Sequence, residues 1–187
     1  DKAIELDSNN TIAYYIRGLA KENLGQHFEA IKDYDKVIEL DPNNSKTYLI
    51  RGNAKFNLRL YEEVIKDYDK AIELNPNNSN SYTYIFRGVS KENLGQYEEA
   101  IKDYNKAIEL DHNYGNAYVR RGSAKCNLGQ YEEAIKDYDK TIDLDPNNTD
   151  AYNGRGNAKY GLRKYQEAIK DYNKAIELDS NNTIAYY

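Results

Sequence analysis

Between residues 27 and 40 the apolar side chains Ala30, Ile31, Tyr34, Val37 and Ile38 recur at steps of one, three or four, while Glu29, Lys32, Asp33, Asp35, Lys36 and Glu39 fill the opposite side. That spacing is one face of a 3.6-residue helix and not the alternation of a strand. A second helix-length stretch, roughly 11–24, precedes it, and only Gly25-Gln26 separates the two. The pattern therefore predicts a helix pair. Asp41-Pro42-Asn43-Asn44 closes the pair, because proline cannot continue a helix and asparagine tolerates the left-handed conformation. Ser45, or Thr149 further on, is expected to cap the next helix with its hydroxyl. Pro76 and Pro146 repeat the stop; His112 and Ser180 replace the proline, which predicts two less sharply broken junctions.

The same pattern then recurs. Tyr-Glu-Glu-Ala-Ile-Lys-Asp-Tyr stands at 131–138, with close copies at 27–34, 61–68, 97–104 and 165–172. Phasing on this phrase gives a 34-residue period: repeats at 11–44, 45–78, 79–114 (with Ser79 and Asn80 inserted), 115–148 and 149–182. A partial repeat occupies 1–10, and 183–187 starts a further one. Gly18, Gly52, Gly88, Gly122 and Gly156 sit inside the first helix of every repeat, where glycine costs about 1 kcal/mol relative to alanine. A cost taken five times implies close helix approach, with Ala30, Ala100, Ala134 and Ala168 as the expected small partners. Val64 breaks that column, so the second repeat is expected to be splayed.

Tyr14-x-x-Arg17-Gly18-x-x-Lys21, followed by Ala30-x-x-x-Tyr34 and Pro42, resembles the signature of the tetratricopeptide repeat family, whose period is also 34 residues. Arg before the glycine and Lys after it depart from the family's leucine and tyrosine in every copy and mark a subtype. The resemblance covers the whole chain and implies an all-α fold, a right-handed α-solenoid of antiparallel helix pairs whose concave face is lined by the first helices.

Composition suits such a stack. There are 20 Tyr but 3 Phe and no Trp or Met, and charged residues reach 30%, which leaves little for one deep core and enough for thin seams between neighbours. The net charge of −5 comes without a polybasic tract, so the electrostatic footprint of a nucleic-acid binder is missing. No apolar run approaches membrane-spanning length. The single Cys126 has no internal disulfide partner and leaves the compartment open. His27 and His112 lie in unrelated positions, with no nucleophile or metal-ligand pattern around them. No catalytic residue, metal or cofactor is expected.

By analogy with the family, the groove columns are Tyr15, Leu49, Ile85, Val119 and Asn153, then Leu19, Asn53, Val89, Ser123 and Asn157, then Glu22, Phe56, Glu92, Cys126 and Tyr160. Unlike the packing columns, these vary from copy to copy, as a surface that reads a partner would. Their apolar members, Leu49, Phe56, Ile85, Val89 and Val119, point to a mixed hydrophobic peptide or helix as ligand. Some family members grip a C-terminal carboxylate; the matching positions are Leu49, Asn53, Phe86, Asn116 and Arg120. Only Asn53 and Arg120 fit, which argues against a heat-shock chaperone tail. The expected function is a protein–protein interaction scaffold. The alternative is a structural array that extends or self-associates end to end.

Three other features have plain structural readings. Arg17, Arg51, Arg87, Arg121 and Arg155 each precede a lysine by four residues; a basic stripe for acidic partners is one reading, and stems lying on the seam with heads on the Asp and Glu of second helices is the favoured one. The Tyr columns 14, 48, 84, 118, 152 and 34, 68, 104, 138, 172 are expected to pack. Asn9, Asn43, Asn77, Asn147 and Asn181 open glycosylation sequons, but helix-stop and cap chemistry explains the same letters. Finally, residues 2–15 are identical to 174–187, which predicts another copy of the block adjoining this one, in cis or from a neighbouring molecule.

Overall fold

A computed structural model describes residues 7–76 and 80–179. Ten α-helices and no strand occur among the described residues: α1 Thr11–Asn23, α2 His27–Leu40, α3 Ser45–Asn57, α4 Tyr61–Leu74, α5 Ser81–Asn93, α6 Tyr97–Leu110, α7 Gly115–Asn127, α8 Tyr131–Leu144, α9 Thr149–Gly161 and α10 Tyr165–Leu178. The fold class is the all-α, helix-pair class expected. The chain divides into two compact bodies, an N-terminal one holding α1–α5 and a C-terminal one holding α6–α10. In the first, α1 packs on α2, α2 on α3, α3 on α4 and α4 on α5; in the second, each helix from α6 to α10 likewise packs on the next. Residues 1–6 of the first partial repeat, the inserted Ser79, the partial repeat at 183–187 and the continuation expected at both ends lie outside the described residues.

The hairpin turn inside a repeat is a backbone motif. The Gln26 N–H reaches the Lys21 carbonyl (2.9 Å) and the Gly25 N–H the Glu22 carbonyl (2.9 Å), which satisfies orphan carbonyls of α1 and requires a left-handed residue between. Gly25, Gly95 and Gly129 supply it with φ of 72–73°. Arg59 and Arg163 take the same place at φ 59°, although a side chain there crowds the following carbonyl. Arg59→Gly is therefore expected to stabilise the chain by about 0.5–1 kcal/mol, the handedness cost less the entropy of an added glycine. Urea unfolding followed by circular dichroism checks this, and a lowered midpoint would contradict it.

Junctions between repeats depend on asparagine and aspartate more than on the expected residues. Asp41 Oδ1 accepts the Asn43 N–H (3.3 Å), and Asn44 Oδ1 accepts the Thr47 N–H (3.2 Å). Asn10, Asn80 and Asn148 cap α1, α5 and α9 in the same way. The cap is thus the asparagine, and Ser45 and Thr149 are already the first helical residues. His112 does not soften its junction: α6 ends at Leu110 and α7 begins at Gly115, a link as short as 41–44, with Asp111 Oδ1 accepting the Asn113 N–H (3.0 Å). The Ser180 junction lies outside the described residues. Tyr48 and Tyr118 fasten their loops by donating to the carbonyls of Pro42 and His112 (3.2 Å each).

The glycines face rings, not alanines. A Cβ on Gly18 would lie 2.5 Å from Tyr34, on Gly122 2.9 Å from Tyr138 and on Gly156 2.6 Å from Tyr172. In these three repeats the tyrosine of the second helix lies across the first helix where the side chain is missing. The alanines serve the next repeat instead: Ala30 clusters with Tyr34 and Ala54, and Ala134 with Tyr138, Ala151 and Ala158. At Gly52 the nearest atoms, of Asp67 and Tyr68, stand 3.5 Å away, so the ring lies less close there, in the repeat where buried Val64 takes the alanine's place.

Candidate interaction surface on the first helices

The cation ladder closes on itself. Asp33 accepts Arg17 at 2.9 and 2.6 Å and Lys21 at 2.8 Å; Asp137 and Asp171 each bind their own Arg and Lys pair, with Lys125 and Lys159 both at 2.7 Å. Each of these aspartates is 3–4% exposed. The arginines also reach back to the preceding second helix, Arg51 to Asp35 (2.6 Å), Arg87 to Asp69 (2.6 Å), Arg155 to Asp139 (2.5 Å) and Arg121 to Asn105 (2.6 Å). Every guanidinium lies over the Tyr three residues before it, at 5.4–5.5 Å. These groups bind neighbouring helices together.

Electrostatics within the ladder follow from burial and pairing. Burial pushes the Asp33 carboxyl up, but the hydrogen bonds from Arg17 and Lys21 outweigh it and hold the group below its usual range. Burial pushes Cys126 up, and a contact with the Tyr138 hydroxyl (3.9 Å) offsets only part of that. Burial thus disfavours its thiolate form. Among the described residues no group of His, Cys, Asp and Glu could hold a metal, and no helix is long and apolar enough to cross a membrane.

The thirteen groove residues differ in exposure. Tyr15, Leu49, Phe56, Val119, Ser123 and Cys126 are half-buried; Leu19, Asn53, Asn157 and Tyr160 are exposed. Ile85, Val89 and Asn153 are buried, at 5%, 8% and 4% exposure, and present no surface. Both amide atoms of Asn153 lack a hydrogen-bond partner. Tyrosines from the second helices reach this side beneath the glycines: Tyr68 Oη donates to Asn53 Oδ1 (2.5 Å), and Tyr172 Oη to Asn157 Oδ1 (2.8 Å).

Two clefts open in the N-terminal body. One, about 250 Å³, lies between α1 and the start of α3 and is lined by Thr11, Ile12, Tyr15, Val37, Asn44 and Lys46. The other, about 270 Å³, lies between α3 and α5 and is lined by Leu49, Asn53, Tyr68, Asn80, Tyr82, Thr83 and Phe86. Phe86 stands edge-on to Phe56, with ring centroids 5.1 Å apart. The groove columns omitted Ile12, Lys46, Tyr82 and Phe86. Their signal was present: the column Ile12, Lys46, Tyr82, Asn116, Asp150 and the column Ile16, Ile50, Phe86, Arg120, Gly154 vary as freely as those chosen.

Comparison with known proteins follows the same outline. A family profile described as "Tetratricopeptide repeat" matches residues 11–44, 45–78, 81–114 and 149–182; a second of that description matches 103–136, and one described as "TPR repeat" matches 122–162. A search of curated proteins gave no match. Among solved structures, the crystal structure of MamA is 30% identical over 91% of this chain and 92% of its own, with a TM-score of 0.85. YrrB, a TPR protein with an unusual peptide-binding site, is 24% identical over 99% of this chain and 94% of its own (TM-score 0.86). The first TPR of Spaghetti (RPAP3), bound to the HSP90 peptide SRMEEVD, is 32% identical over 57% of this chain and 85% of its own (TM-score 0.56).

Proposed function

Because the chain belongs to the tetratricopeptide repeat family, we propose that it is a non-catalytic scaffold that holds a segment of a partner protein against its first helices. The observation that carries this reading is the pair of clefts on α1, α3 and α5, whose walls Ile12, Tyr15, Leu49, Tyr82 and Phe86 supply apolar surface outside the packing columns. Ile12 and Tyr82 are 69% and 55% exposed. Covering such surface is favourable by about 25 cal/mol per Å², and the Asn53 amide lies beside it to receive a peptide carbonyl. The peptide-binding site of YrrB and the peptide complex of Spaghetti support the general reading. Since only Asn53 and Arg120 of the five carboxylate-gripping positions fit, a heat-shock tail is not the ligand favoured here.

Peptide display on the whole chain tests the reading. Wild-type protein is expected to enrich peptides from a random library, and Leu49→Glu with Tyr82→Glu to abolish enrichment while helicity by circular dichroism stays the same. Peptides that survive that change but are lost on Gln96→Ala, in the loop before α6, would move the site elsewhere.

A further inference from the structure

The two clefts share three columns of the repeat, one repeat apart, built with different chemistry. Tyr15 and Leu49 occupy one column of the repeat, and Lys46 and Tyr82 occupy another. In the first cleft the Lys46 ammonium stands over the Tyr15 ring, 5.4 Å from its centroid, and among the described residues no carboxylate pairs with it. This sets it apart from the lysines of the ladder and from Lys36, Lys70, Lys106 and Lys174, each paired with a glutamate three residues on. In the second cleft no charged side chain contributes to the lining. Leu49, Tyr82 and Phe86 form its walls, and Asn53 is fixed by the Tyr68 hydroxyl through its oxygen, which leaves its N–H groups to donate.

We propose that the N-terminal body reads an acidic–apolar pair in its partner. A carboxylate seats against Lys46 and Tyr15, and a bulky apolar side chain seats between Leu49, Tyr82 and Phe86. The clefts flank α3, whose width with its side chains is about 10 Å, and an extended chain covers about 3.3 Å per residue, so the two side chains are about three residues apart. The charge complement of the first cleft and its absence from the second fix which residue goes where. A basic or wholly polar segment leaves Lys46 repelled or the second cleft empty. This inference rests on the reading that the first-helix face binds a partner segment.

The test selects phage-displayed random decapeptides on the whole chain. The consensus peptide is then synthesised, labelled and titrated against wild type, Lys46→Glu and Tyr82→Ser. Enriched peptides are expected to carry Asp or Glu three or four residues from Leu, Phe or Tyr. Lys46→Glu is expected to weaken the acidic peptide about tenfold and to strengthen a version with Lys in place of the acid. Tyr82→Ser is expected to weaken both versions about equally. Enrichment of peptides without the acid, or Lys46→Glu without effect where Tyr82→Ser releases the peptide, overturns the acidic–apolar pair and leaves the surface reading intact. Peptides indifferent to Lys46→Glu, Tyr82→Ser and Leu49→Glu alike, or no enrichment at all, overturn the surface reading with it.

Discussion

Gly122→Leu is expected to destabilise the chain by about 3 kcal/mol, the upper range for overpacking a well-filled core. Tyr138 is why. Its ring, 3% exposed, lies between two glycines of successive repeats: a Cβ on Gly122 would stand 2.9 Å from it, and one on Gly154 closer still. Held from both sides, the ring has nowhere to go when either glycine gains a side chain. Gly52→Ala is the contrasting case. Its nearest neighbours are 3.5 Å away, ordinary contact distance, so removing a mid-helix glycine there is expected to be neutral or stabilising by up to about 1 kcal/mol. Urea unfolding of the two variants gives opposite signs if this account holds; equal losses would show that the tyrosine seam does not explain the glycines.

Asp137→Ala is expected to cost about 3–5 kcal/mol, the range for removing one partner of a buried ion pair. Arg121 Nη2 (2.5 Å), Arg121 Nε (3.0 Å) and Lys125 Nζ (2.7 Å) all converge on this carboxylate. Without it two cations four residues apart on α7 face one another and the base of α8 with no counterion. Glu177→Ala, which breaks the exposed pair with Lys174, is the control and should stay within about 1 kcal/mol. A comparable loss in both variants would refute the assignment. One aspartate of the ladder also carries a pH signature. Asp33 is held below its ordinary range in the folded chain, so its contribution is fully present above the unfolded carboxyl value near about pH 4 and disappears as pH falls through the lower folded value. The urea midpoint is expected to fall as pH drops through that window, and an unchanged midpoint would contradict the pairing.

Helices, their order and the repeat length were all legible in the sequence, because each rests on short-range chemistry. A 3.6-residue period, a left-handed residue in the hairpin and an Asp-x-Asn-Asn stop act within one turn of chain. The ladder was legible too, since Arg and Lys spaced by four share a face and the carboxylates recur at a fixed distance. Sequence alone placed the glycine column correctly and named the wrong partner for it. Alanine is small and tyrosine is not, so close approach suggested Ala30; the space left by Gly18 is taken by the Tyr34 ring because that ring is the largest group the seam must bury.

Tertiary packing decided which variable columns reach the surface. One residue along a helix turns the side chain by about 100°, so the choice between Ile85 and Phe86, or between Val89 and its neighbours, depends on how α5 is rotated about its own axis. Many weak contacts fix that rotation together, and no local rule encodes it. The capping asparagine is the smaller case of the same kind: Asn44 and Ser45 both can cap, and the one chosen is the one that the preceding Asp41 turn leaves outside the helix. Local periodicity determined that these helices form. Where each one turns its faces was settled by the summed packing of its neighbours, and the clefts beside Lys46 and Tyr82 exist only at that level.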